Sequence, residues 1–158
     1  MPYLILIIYL AVAFALQFLT GNIPFSFLAF PLNLILALIW ASIMVSVWKM
    51  RRKSLFVEFM LSKGATVSSV VLFLGFSLAI GISGQRELVS TWIFAAVLLY
   101  FQTVLLFVIL RGWRAQTATG ARIGAVRWRF VLNHVGILLA VSSAFWGAPD
   151  TEVLRIRA

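Results

Sequence analysis

Thr91-Trp92-Ile93-Phe94-Ala95-Ala96-Val97-Leu98-Leu99-Tyr100-Phe101-Gln102-Thr103-Val104-Leu105-Leu106-Phe107-Val108-Ile109-Leu110 is a stretch of chain without a single Lys, Arg, Asp or Glu. About 20 apolar residues in a helix cross the ~30 Å hydrocarbon core of a bilayer. Inside hydrocarbon the backbone finds no water, so such a stretch must satisfy its own hydrogen bonds as a helix. Four more runs of the same kind flank it: Tyr3–Thr20, Phe25–Trp48, Gly64–Ser83 and Phe130–Trp146. The turn sequence Thr20-Gly21-Asn22-Ile23-Pro24 separates the first two. The other breaks are the polar, basic segment from Lys49 to Lys63, the short charged Gly84-Gln85-Arg86-Glu87, and the basic, glycine-bearing segment from Arg111 to Arg129.

Composition agrees. Of the 158 residues, 63% are hydrophobic and only 11% charged, with a mean hydropathy of +1.09. A soluble domain carries roughly 25% charged residues, so a water-facing enzyme and a disordered tail are both excluded. The absence of cysteine removes disulfides, thiolate metal sites and cysteine nucleophiles. The reading is one all-α domain over residues 1–158, an integral membrane bundle of five transmembrane helices. The first run has no Lys or Arg ahead of it and no small-x-small pattern near Thr20, so it reads as an uncleaved helix rather than a secretion signal.

The net charge of +9 suggests nucleic acid until its placement is considered. Lys49, Arg51, Arg52, Lys53 and Lys63 lie between the second and third runs. Arg111, Arg114, Arg122, Arg127 and Arg129 lie between the fourth and fifth, and Glu58 alone opposes them. On the other side Arg86, Arg155 and Arg157 are cancelled by Glu87, Asp150 and Glu152. The excess positive charge marks the cytoplasmic side, which puts the N-terminus inside and the C-terminus outside. The expected partners of the basic side are membrane lipids, not nucleic acid. Residues 54–62 place Leu55, Phe56, Phe59 and Met60 on one helical face, and read either as a short interfacial helix or as an extension of a neighbouring span. Trp48, Trp113, Trp128 and Trp146 at the span ends read as interfacial anchors.

Polar side chains within the runs are few: Gln17, Asn33, Gln102, Asn133 and His134. Pro31 removes a backbone donor, so a kink is expected there. His134 is the one residue among the five that can ionise, and an ionisable group in a span is a functional hypothesis by default. Five residues beyond Arg129, it lies about 7–8 Å deeper along a helix. It reads either as an interhelical hydrogen-bonder or as a metal ligand. No second histidine, cysteine or nearby carboxylate completes a metal site, so a ligand role requires a cofactor that brings most of its own donors. Haem, with only axial positions left to fill, meets that requirement. Arg127, seven residues before His134 and on the same face, is a candidate partner for a haem propionate, or else a stop-transfer charge. Gly136 and Ala140 form a small-residue pair that lets another helix approach. Gln17 and Gln102 are too few for a transporter cavity, and this chain alone assembles no acid–base pair.

Phe130-Val131-Leu132-Asn133-His134-Val135-Gly136-Ile137 resembles the FxLNHxGL segment of ResB/CcsB-type (system II) cytochrome c biogenesis proteins. Gly147-Ala148-Pro149-Asp150 followed by Val153-Leu154-Arg155-Ile156 is similar to that family's GSxD and periplasmic lead-in, and Phe30-Pro31-Leu32-Asn33 to its FPxN. The resemblance implies a multi-pass protein of the bacterial inner (cytoplasmic) membrane that works with a CcsA-type partner. Together the two would pass haem, b-type and transiently bound, across the membrane for attachment to apocytochrome c. It implies His134 as an axial ligand of the haem iron near the cytoplasmic side, and a subunit of a cytochrome c haem lyase rather than an enzyme in its own right. Family members continue into a large periplasmic domain, whereas this sequence ends at Ala158, so the resemblance covers the membrane portion. The alternative is a non-catalytic subunit that scaffolds a membrane complex.

Overall fold

A computed structural model of the chain describes residues 2–24, 28–50, 54–118 and 128–148. Every regular element among them is helical: α1 (Pro2–Thr20), α2 (Leu32–Met50), α3 (Leu55–Met60), α4 (Lys63–Ser83), a 3-10 helix (Arg86–Ser90), α5 (Trp92–Ala118) and α6 (Trp128–Trp146). Five of these, all but α3 and the 3-10 helix, are long and apolar enough to cross a membrane.

The caps follow from local sequence. α1 ends at Gly21, whose φ of +73° suits a residue without a Cβ, and whose N–H donates back to Gln17 O at 3.0 Å. α4 ends the same way at Gly84, φ +65°. α2 departs from expectation. It starts at Leu32, not near residue 25, so Pro31 stands just ahead of the helix and does not kink its interior. A residue before proline avoids the helical region, which keeps the helix from running back through Phe30. The Pro31 carbonyl instead opens the helix by accepting from Ile35 N at 3.1 Å.

The segment at 54–62 is a helix of its own, and not an extension of α4. Ser54 Oγ caps it by accepting from Val57 N, and Ser62 Oγ caps α4 by accepting from Ala65 N at 3.1 Å. Its buried residues are Val57, Phe59 and Met60, while Leu55 is 78% exposed, so its face is rotated from the expected one. Two edge-to-face ring contacts account for the rotation: Phe56 on Phe107 at 6.2 Å and Phe59 on Tyr3 at 6.1 Å. α3 therefore packs into the bundle instead of lying on a surface with its apolar face turned outward.

α5 is the central helix. In its membrane-length window 61% of residues are buried, against 6–11% in the other four, and α1, α4 and α6 all pack against it. It runs beyond the expected end at Leu110, since Gly112 remains helical under the ring of Phe130 from α6. The helices alternate in direction. Tyr3, α3, the start of α4, Arg111 and Phe130 meet at one end: Tyr3 lies on Gly64, and Arg111 donates to Leu61 O at 3.4 Å. At the opposite end Trp92 N donates to Gln17 Oε1, Ile23 N to Ser90 O, and Asn33 to the Trp146 carbonyl, each at 2.8 Å. Lys49, Lys63, Arg111, Arg114 and Arg129 terminate helices at the α3 end, while Glu87 lies at the other.

Candidate functional site

His134 sits one turn into α6, half-buried, on the edge of the helix that faces α5. Its Nδ1 lies 2.8 Å from the carbonyl oxygen of Phe130, one turn earlier, and the two rings are tilted together with centroids 4.1 Å apart. A carbonyl only accepts, so Nδ1 carries a proton, and in the neutral tautomer this leaves the lone pair on Nε2. This is the arrangement metal-bound histidines commonly use, a backbone acceptor fixing tautomer and orientation through the other nitrogen. Among the described residues no side chain bonds Nε2. The donor fits one axial bond to a haem iron. Arg127, the candidate propionate partner, lies outside the described residues.

The other polar residues of the spans do not converge on His134. Asn33 Nδ2 donates to the Trp146 carbonyl at 2.8 Å, and the Trp146 indole donates to Gln102 Oε1 at 3.3 Å. This chain of bonds joins α2, α6 and α5. Trp146 is twelve residues beyond His134, about 18 Å along the helix, so the two sites are separate. The indole of Trp146 therefore reaches inward to a buried amide, where sequence alone suggests only an interfacial anchor. Gln17 is spent on the loop and on the start of α5: Nε2 donates to Asn22 Oδ1 at 2.9 Å and Oε1 accepts from Trp92 N. Gln17 thus lies against the start of α5, ten residues from Gln102, and neither lines the cavities described below. Gln102 is fully buried, and its Nε2 has no partner among the described residues.

Asn133 and Gly136 are exposed, with nothing within 4 Å of a Cβ built on Gly136. Gly136 thus meets no other helix among the described residues, whereas Ala140 lines a cavity between α4, α5 and α6. Among the described residues no group of three His, Cys, Asp or Glu side chains could hold a metal by itself.

Among the described residues the bundle holds a partly open cavity of 260 Å³ between α1, α2, α3 and α5, with Leu6, Tyr9, Trp40, Met44, Phe59 and Leu99 in its wall. A second, of 470 Å³, lies between α4, α5 and α6 toward the Trp146 end, walled by residues such as Phe73, Ile80, Phe94 and Phe145. His134 lines neither.

The chain matches no protein-family model, no curated protein sequence and no solved structure.

Proposed function

We propose that this chain is a multi-pass subunit of a bacterial inner membrane, with its basic end cytoplasmic, N-terminus inside and C-terminus outside. In this reading it takes part in cytochrome c maturation. His134 Nε2 binds haem as cargo, and a CcsA-type partner supplies the opposing ligand. Apocytochrome c is met only through that complex. The observation that carries the reading is the 2.8 Å contact between Nδ1 and the Phe130 carbonyl, which sets the ring with its lone pair at Nε2. The placement of His134 near the cation-rich end supports it, as does the FxLNHxG segment around it. An iron porphyrin needs only axial donors from protein, so one histidine from each of two chains is a sufficient set. The protein's own part is to bind and orient; the bond-forming chemistry at the apocytochrome cysteines belongs to the complex.

The test is to purify the full chain with its partner and record the Soret band. His134→Ala is expected to lose at least tenfold in bound haem, with recovery on adding imidazole. An unchanged Soret band in that variant overturns the reading. The scaffold alternative would then stand in its place, favoured by the exposed Asn133 and Gly136 and by the position of His134 outside both cavities.

A further inference from the structure

We propose that the 260 Å³ cavity holds one acyl chain of an anionic phospholipid, whose headgroup rests among the cations at the α3 end. The inference uses the membrane reading of the five helices and is independent of haem.

The wall comes first. α2 is tied to the bundle near both ends, by Asn33 on the Trp146 carbonyl and by Trp48 in the buried core cluster. Between those ties Trp40 and Met44 face the cavity. The hydroxyls that line it are already committed: Tyr9 donates to Ala96 O at 2.9 Å, Tyr100 to Ala65 O at 3.2 Å, and Thr103 to Leu99 O at 2.7 Å. A cavity of ~150 Å³ lined by apolar side chains already stays dry and takes up an apolar guest. This one is larger, and the hydrogens of its lining hydroxyls are all committed to carbonyls.

Depth and charge then select the guest. Phe56, Phe59 and Met60 of α3 line the cavity at the basic end, and the cavity is partly open. Met44 lies five residues from Lys49, about 7–8 Å deeper, and Trp40 nine residues, about 13–14 Å. On α5, Leu99 lies twelve residues from Arg111, about 18 Å. The cavity therefore runs over roughly half of a ~30 Å core, the reach of an acyl chain in a single leaflet. Lys49, Lys63 and Arg111 are exposed at that end, and among the described residues there Glu58 is the one acidic side chain. Exposed cations near a bilayer surface each favour anionic lipid by about 1 kcal/mol, or about fivefold.

The test uses the full chain purified in mild detergent and examined by native mass spectrometry after add-back of phosphatidylglycerol or phosphatidylcholine. About one phosphatidylglycerol per chain is expected to survive, in preference to phosphatidylcholine. Met44→Trp, which fills the cavity, is expected to lower retained lipid of both kinds several-fold. Lys49→Gln with Lys63→Gln is expected to leave retention intact and erase most of the headgroup preference. Circular dichroism checks that both variants remain helical; if Met44→Trp does not, Leu99→Phe fills the same space from α5. Equal retention of the two lipids by the unaltered chain overturns the proposal. So does retention unaffected by the cavity-filling variant, or recovery of a quinone in place of phospholipid.

Discussion

The two ends of α6 put polar side chains to opposite uses. At its far end Trp146 is bonded to two other helices, through its carbonyl to Asn33 of α2 and through its indole to Gln102 of α5. Near its start His134 is bonded only to its own preceding turn. A bond between helices holds the assembly, and breaking it should be read in stability. A bond within one helix orients a side chain without joining anything, and breaking it should be read in whatever that side chain binds. The contrast separates structural polarity from functional polarity along one helix.

The largest effect tests the first half of the contrast. Trp146→Ala removes a half-buried aromatic ring and leaves Gln102 Oε1 without its donor. Truncating a buried Trp costs about 3–5 kcal/mol, so about 2–3 kcal/mol is expected at this partly exposed position, seen as a lowered unfolding midpoint in detergent. His134→Ala should do the reverse. Its predicted tenfold loss of bound haem, about 1.4 kcal/mol, should come with less than about 0.5 kcal/mol of lost stability, because no other helix is released. If His134→Ala destabilised the bundle as Trp146→Ala does, the division along α6 would fail.

A third substitution tests stability and binding together at the His134 end. Gly112 lies under the Phe130 ring, and a Cβ there would collide with it. Gly112→Ala gains helix propensity of about 1 kcal/mol but must push the ring aside, which costs about 1–3 kcal/mol as overpacking. The expected net is a destabilisation of about 1 kcal/mol. Phe130 also holds His134 by ring contact and by its carbonyl, so haem retention should fall by a few-fold in the same variant. A variant that loses stability without losing haem would show that Phe130 packs the helices but does not position the imidazole.

Much of this architecture is legible in the sequence, and the illegible parts have physical causes. The five uncharged runs give the helices long enough to cross a membrane, and the basic residues that end up at one end of the bundle are those the loop charges assign to one side. The start of α2 is misread because an apolar run continues through Phe25–Pro31 while the proline stops the helix. The rotation of α3 depends on rings of α1 and α5 that no local pattern reveals. Hardest to foresee is the central position of α5. Lipid is as apolar as a protein core, so burial leaves little mark on composition, and the outer helices are themselves apolar enough to span a membrane. One signal was available: α5 alone sets Gln102 beside Thr103 in mid-span. The inward bond of Trp146 is hidden for the same reason, since a tryptophan at a span end serves equally as an interfacial anchor.

The smallest expected effect is also the most discriminating. Gln102 accepts from the Trp146 indole at 3.3 Å, a long bond, while its buried Nε2 has no partner among the described residues. Gln102→Leu is close to volume-conserving. It gives up an interhelical bond worth about 0.6 kcal/mol in membrane proteins, and it removes an unmet buried donor that costs about 1–3 kcal/mol. The variant is therefore expected to be more stable than the parent by about 0.5–2 kcal/mol, measured by unfolding in mixed micelles. A loss of stability instead would mean that Nε2 is satisfied in the membrane by a bound water or by an acceptor on a partner helix. In that case the Trp146 end of α6, like the His134 end, would be holding a polar group in reserve.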